Sequence, residues 1–128
     1  MDKINTHKDL NVYKKAMDFV VLIYQITKKI PSDEKFGLIS QMRRAAVSIP
    51  SNIAEGAARK NTKEFIQFLY HSLGSASEIE TQIELAKRLN FIDNTKEIDK
   101  ALHEIIYLLT ALIKSLKNKL TDKKRCWK

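Results

Sequence analysis

The residues of this 128-residue chain best suited to chemistry are its arginines and lysines, and the chemistry they suit is phosphate binding. Arg43 and Arg44 stand together inside one apolar-periodic segment, and Arg59 and Lys60 close it. A guanidinium meets phosphate oxygens bidentately through its planar fork, which makes arginine the favoured contact. Neighbouring residues on a helix point about 100° apart, so Arg43 and Arg44 are not expected to do the same job. The competing reading pairs one of them with a glutamate of an adjacent helix. A second basic cluster lies at the C-terminus, where Lys114 to Lys128 holds seven basic residues against one acid, Asp122. Lys117, Lys123, Lys124 and Arg125 are the candidate contacts there, and Trp127 could stack on a base. The alternatives are a solvated tail with no specific partner, or a Trp127 folded back onto the body of the protein.

Other chemistries find less support. His71 and Ser75 are one helical turn apart, but no third group in the sequence orients them, and helical serine commonly bonds its own backbone. Glu80 and Glu84 are also one turn apart and read as a solvated face. Di-iron bundles use a Glu-x-x-His pattern. Here Phe68 stands three before His71 and Lys100 three before His103, and His7 precedes the bundle. No arginine precedes a histidine at the short spacing of small helical ribonucleases, and no glycine-rich phosphate loop occurs. No catalytic residue, metal or cofactor is assigned.

These side chains need elements to hold them. The stretch Phe36 to Arg59 keeps an apolar rhythm of three and four through Ile39, Met42, Ala46, Ile49, Ile53 and Ala57. Pro50 lies inside that run without resetting its phase, which predicts one helix from about Glu34 to Arg59, kinked at Pro50. Ser48, Ser51 and Asn52 flank the proline and are expected to bond carbonyls it frees. Glu55 is expected to find an arginine of an adjacent helix or subunit. Gly56 is expected to help the chain unwind or to admit another backbone, and Gly74 to permit close helix–helix contact.

Three more helices are expected. The first runs from about Leu10 to Lys29, capped by Asp9, with Val12, Ala16, Phe19, Ile23, Ile26 and Ile30 on one stripe. The third spans about Thr62 to Leu89, with Asn61 at its N-cap and Glu64 three residues on. The fourth spans about Thr95 to Leu120, capped by Asn94, with Ile98, Leu102, Ile105, Leu109, Leu112 and Leu116 in strict alternation of four and three. The fold class is therefore all-α, an up-down-up-down antiparallel four-helix bundle over residues 1–120, followed by a basic tail at 121–128.

Composition bounds the partners. A formal net charge of +8 favours acidic partners, nucleic acid first and an anionic membrane surface second, against the alternative of a merely lysine-rich surface. The positive charge is uneven, because Glu64 to Glu84 carries four glutamates and no lysine or arginine. One cysteine, Cys126, excludes an internal disulfide and fits a reducing compartment. The N-terminus lacks the apolar core of a signal peptide, and no run of about 18 apolar residues could span a bilayer, so the cytoplasm is expected. Helices one and four carry more apolar positions than one bundle face needs. Second stripes such as Tyr13, Met17, Val20 and Tyr24 would stay wet in a monomer, which predicts a homo-oligomer.

The segments DLNVYKKAMDFV, FGLISQMRRAAVSIPSNIAEGAAR and EFIQFLYHSLGSASEIETQIELAKRL together resemble the four-helix-bundle proteins encoded within intervening sequences of bacterial 23S ribosomal RNA genes. The resemblance covers about Asp9 to Leu116, and SIPSNIAEG and GSASEIETQ are its most specific blocks. It implies a left-handed bundle assembled as a homopentamer. The chain also looks like the accessory protein of diversity-generating retroelements, a basic pentameric barrel that works with a reverse transcriptase and binds nucleic acid. The expectation is a non-enzymatic, basic homo-oligomer that binds nucleic acid electrostatically, RNA before DNA. The alternative is a protein–protein scaffold for an enzyme such as a reverse transcriptase.

Overall fold

The computed structural model describes residues 7–126, without the side chains of 9 and 122–126. Four α-helices carry the chain: α1 (Asn11–Thr27), α2 (Ser40–Ala57), α3 (Thr62–Arg88) and α4 (Lys96–Cys126). There is no strand among the described residues. Each helix packs against its neighbour in sequence, and α1 meets α4 to close the bundle. Contacts pair in opposite senses along neighbouring helices. Ser75 meets Ser48 while Phe65 faces Gly56, and His103 meets Glu80 while Lys117 meets Tyr70. Adjacent helices are therefore antiparallel, and the C-terminal ends of α2 and α4 lie at one end of the bundle.

The core follows the expected stripes. Val12, Ala16, Phe19, Ile23, Ile26 and Ile30 are all buried, as are Ile39, Met42, Ala46, Ile49 and Ile53 on the α2 side. On α4 the buried set is Ile98, Leu102, Ile105, Leu109 and then Ile113, with Leu112 only half-buried. A straight helix drifts about 20° per heptad against a strict seven-residue repeat, so the core moves from position 112 to 113.

The ends of the helices depart from expectation in physically legible ways. The expected helix from Glu34 does not form as one piece. Ser32–Glu34 is a 3-10 turn and Lys35–Ile39 a π turn, and Gly37 inside it has φ −104° and ψ −110°, outside the helical range. The Glu34 carboxylate accepts from the Leu38 amide at 3.4 Å. At α1 the N-cap position is Leu10, not Asp9, and no side chain caps it. Asn61 caps α3 as expected, accepting from the Glu64 amide at 3.2 Å. That helix ends in a Schellman arrangement. Asn90 takes φ 62°, Phe91 N donates to Ala86 O at 2.9 Å, and Asn90 N donates to Lys87 O at 3.0 Å. Asn94 accepts from Lys96 N at 3.4 Å, while the residue next to α4 is Thr95, buried and bonded to Asp99 at 2.9 Å.

The largest departure is at the C-terminus. The boundary expected after Leu120 is absent, and α4 continues to Cys126. Lysine and arginine are good helix formers, and their charges complement the negative end of the helix dipole. Residues 127 and 128, including the Trp127 considered above, lie outside the described residues. No helix of the described chain is long and apolar enough to cross a membrane.

Candidate nucleic-acid interface

The bundle sorts the basic candidates into two groups. Arg59 and Lys60 leave α2 at its C-terminal end, where α3 begins and α4 finishes. Arg59 lays its guanidinium 4.8 Å from the centre of the Phe68 ring on α3. On the other flank of α3, Lys117 donates to the Tyr70 hydroxyl at 2.6 Å, with its ammonium 5.0 Å from the ring centre. Arg59, Lys60, Lys63, Lys114, Lys117 and Lys119 are all exposed. The α4 backbone then carries positions 123–125 onward in helical register, so the sequence run Lys123, Lys124, Arg125 is attached to the same end. Glu55 and Glu64 are the acids nearest in sequence to Arg59 and Lys63, and both face solvent.

Arg43 and Arg44 stand elsewhere, on the order of 20 Å back along α2 at 1.5 Å per residue. Their roles do differ. Arg43 is half-buried and committed to α1: Nε donates to Thr27 Oγ1 at 2.9 Å, Nη2 to the Tyr24 carbonyl at 3.4 Å, and the guanidinium sits 4.5 Å over the Tyr24 ring. A cation there bonds the Tyr24 carbonyl in the last turns of α1 and complements the helix dipole. The glutamate partner considered for one of the pair is not what Arg43 uses. Arg44 is exposed beside Gln41, Ser48, Ser75 and Glu78 in a shallow groove between α2 and α3. Position on the fold therefore separates Arg43 and Arg44 from the basic end.

The SIPSNIAEG and GSASEIETQ blocks meet face to face. Ser72, one turn before Ala76, is fully buried and donates to the Ile49 carbonyl at 2.8 Å. Ser75 donates to the Ser48 hydroxyl at 2.9 Å, and the Asn52 amide donates to the Ser48 carbonyl and hydroxyl at 2.8 and 2.9 Å. The carbonyls engaged are those of Ser48 and Ile49. The one Pro50 frees belongs to Ala46, four residues back, and none of the Ser48, Ser51 and Asn52 side chains bonds it among the described residues, so the expected repair does not form. Ser51 is exposed and outside this network. Pro50 itself is buried within α2. Gln82 is 7% exposed and donates to Glu78 at 3.2 Å, which leaves its own carbonyl oxygen without a partner among the described residues.

Two structural expectations change and one holds. Glu55 is exposed and no ion pair reaches it among the described residues, because its position faces water rather than the neighbouring helix. Gly56 does meet a close neighbour: a Cβ there would lie 2.7 Å from the Phe68 Cβ. Gly74 does not, since a Cβ there would meet nothing within 4 Å among the described residues. Among the described residues no group of three or more histidines, cysteines or carboxylates is placed to hold a metal. His71 packs edge-on to Phe68 while Ser75 turns to Ser48, so the two are used separately. Sequence reasoning missed Phe68 and Tyr70 as partners of the basic residues. The spacing of Phe68 reads as core, and Tyr70 gave no signal of a partner until the bundle set it beside Lys117.

Comparisons with known proteins agree with this architecture. Residues 8–114 match the family of the 23S rRNA-intervening sequence protein. A crystal structure at 1.70 Å of a protein with unknown function, from the S23 ribosomal protein family of Bacteroides thetaiotaomicron VPI-5482, superposes with a TM-score of 0.74 at 31% identity. The match covers 80% of this chain and 98% of that one. No curated protein matches the chain. The all-α bundle, the seam around Pro50 and the matched range lead to one assignment: the chain belongs to the 23S rRNA-intervening sequence protein family.

Proposed function

We propose that this protein is a non-enzymatic homo-oligomer that binds nucleic acid, RNA before DNA, through the basic end of its bundle. The observation that carries this reading is the convergence of Arg59, Lys60, Lys63 and Lys117 from three helices at the end toward which α4 extends its lysine run. Binding is mainly electrostatic: lysines and arginines displace condensed counterions, and few contacts read bases. The homo-oligomeric part rests on apolar side chains left wet in the single chain, among them Met17, Val21, Tyr24 and Phe36. Five-fold order is what the family resemblance implies.

The test is a fluorescence-anisotropy titration of the full chain against a short labelled single-stranded RNA at several salt concentrations. Log affinity falls linearly with log salt, with a slope near −0.7 per phosphate contact for a single strand, to order of magnitude roughly one per contact. Charge reversal at Arg59 and Lys60 weakens binding, whereas reversal at Arg44 leaves it unchanged. Absence of binding at low salt removes this reading and leaves the protein–protein scaffold for a partner enzyme.

A further inference from the structure

Tyr107 is the one tyrosine among the described residues whose ring is unengaged. The other three are in use: Tyr13 packs edge-on to His7, Tyr24 lies under Arg43 and Tyr70 under Lys117. Tyr107 is 72% exposed, and no ring contact or side-chain hydrogen bond reaches it among the described residues. What flanks it fixes its direction. Glu104 reaches α1 through Lys15 at 2.6 Å, and His103 reaches α3 through Glu80 at 3.3 Å. At about 100° per residue Tyr107 falls between those two directions, on the ridge of α4 that points away from the bundle. Lys100 and Lys114 stand seven residues before and after it and are exposed. Two turns either way keep all three on this ridge, at intervals of about 10 Å.

The space beside the ring lies on its C-terminal side. Helical side chains lean toward the N-terminus, and Ala111, one turn on, is too small to fill what Tyr107 leaves. The result is an open trough of about 620 Å³ whose lining includes Tyr107, Ala111, Lys114, Ser115 and Asn118. The Ser115 and Asn118 side chains have no hydrogen-bond partner among the described residues, which leaves a hydroxyl and a carboxamide for sugar or phosphate oxygens. Lys119 also lines the trough, so it opens toward the basic end. Charge suits an anion: from Lys100 to Lys119 the helix holds four lysines and one acid, and that acid, Glu104, is already paired with Lys15.

We propose that this ridge is a single-strand track, on which a base of the RNA stacks on Tyr107 while Lys100 and Lys114 hold phosphates to either side. This rests on the nucleic-acid binding proposed above and adds a base contact beyond the basic end. A strand held at Lys117 reaches Tyr107 by running about 15 Å down α4. Bases inside a duplex hide their faces in the stack, so Tyr107 selects single strands; every base has a π-face, so it selects little sequence. A protein occupant fits less well. Apart from Ala111 the ring has no apolar neighbour in the trough, whereas the core of a protein interface is apolar and poor in lysine.

Anisotropy titrations of the full chain with a labelled single-stranded RNA test this, against an abasic strand of the same length and charge. Circular dichroism confirms the fold of each variant, and alanine suits an exposed helical position such as 107. Tyr107→Ala weakens binding of the base-bearing strand roughly five- to hundredfold and leaves the slope of log affinity against log salt unchanged. It leaves binding of the abasic strand unchanged, and Tyr107→Phe keeps wild-type affinity for both. Lys100→Ala and Lys114→Ala weaken both strands, and each shrinks the slope by about one. Wild-type RNA binding that Tyr107→Ala does not weaken overturns the stacking site and leaves the basic-end reading in place. A Tyr107→Ala protein that sediments as a smaller species than the wild type makes Tyr107 a subunit contact and also overturns the site. A wild type that binds no RNA at low salt removes both readings.

Discussion

Gly56 and Phe68 are in direct apposition: a Cβ on Gly56 would fall 2.7 Å from the Phe68 Cβ and 2.8 Å from the Phe65 Cδ1. Gly74 has the opposite surroundings, with open space where its Cβ would be. Both are helical glycines, so alanine brings each a propensity gain of about 1 kcal/mol. At Gly56 overpacking costs about 1–3 kcal/mol and outweighs that gain. Chemical denaturation is therefore expected to show Gly56→Ala destabilised and Gly74→Ala stabilised. A destabilised Gly74→Ala would mean that something outside the single chain packs against that position.

Arg43 is a bracket for α1 before it is anything else. Arg43→Ala removes two hydrogen bonds and a cation–π contact at the last turn of α1 and is expected to cost about 1–2 kcal/mol. Arg43→Lys recovers little of it, because an ammonium cannot span the Thr27 hydroxyl, the Tyr24 carbonyl and the ring face together. Denaturation midpoints of the two variants check the loss, and RNA affinity measured on folded protein stays unchanged.

Lys117 and Arg59 carry the complementary expectation. Each is exposed and engages one aromatic ring of α3, so alanine at either costs less than about 1 kcal/mol of stability. RNA affinity falls in both, and the slope of log affinity against log salt shrinks by about one for each phosphate no longer neutralised. An unchanged slope in both variants would remove these two residues from the interface.

Ser72 and Ser75 separate a buried from a half-buried hydrogen bond on the same seam. Ser72→Ala leaves the Ile49 carbonyl without its cross-helix donor and is expected to destabilise by about 1 kcal/mol. Ser75→Ala costs less, because the Ser48 hydroxyl keeps its bond from the Asn52 amide. Equal losses in thermal unfolding would contradict this ordering.

Much of the framework was legible along the chain because helical periodicity is a local signal. The buried stripe of α1 appears residue for residue, and the α3 cap at Asn61 forms as its Asn-x-x-Glu spacing implies. The segment before α2 was not legible. Its apolar phase suits a helix from Glu34, but the chain takes a 3-10 and a π turn there, and periodicity is insensitive to such changes of winding. The end of α4 escaped for the opposite reason. After Leu120 no apolar rhythm marks a helix, yet lysine and arginine continue one at little cost. Among the candidate residues, charge and exposure could be guessed from composition, whereas partners could not. Arg43 and Arg44 are adjacent in sequence, and only the position of α1 decides that one is held at Tyr24 while the other faces solvent.

By itself the sequence determined the number of helices, the faces they bury and the family, because each depends on residue spacing within a single segment. Tertiary structure alone decided that Arg59, Lys60 and Lys117 share one end and that Arg43 is spent on α1. It also decided that Gly56 is filled while Gly74 is open. These are relations between segments far apart in sequence, fixed by antiparallel packing that brings the ends of α2 and α4 together and by the side of α3 each side chain meets.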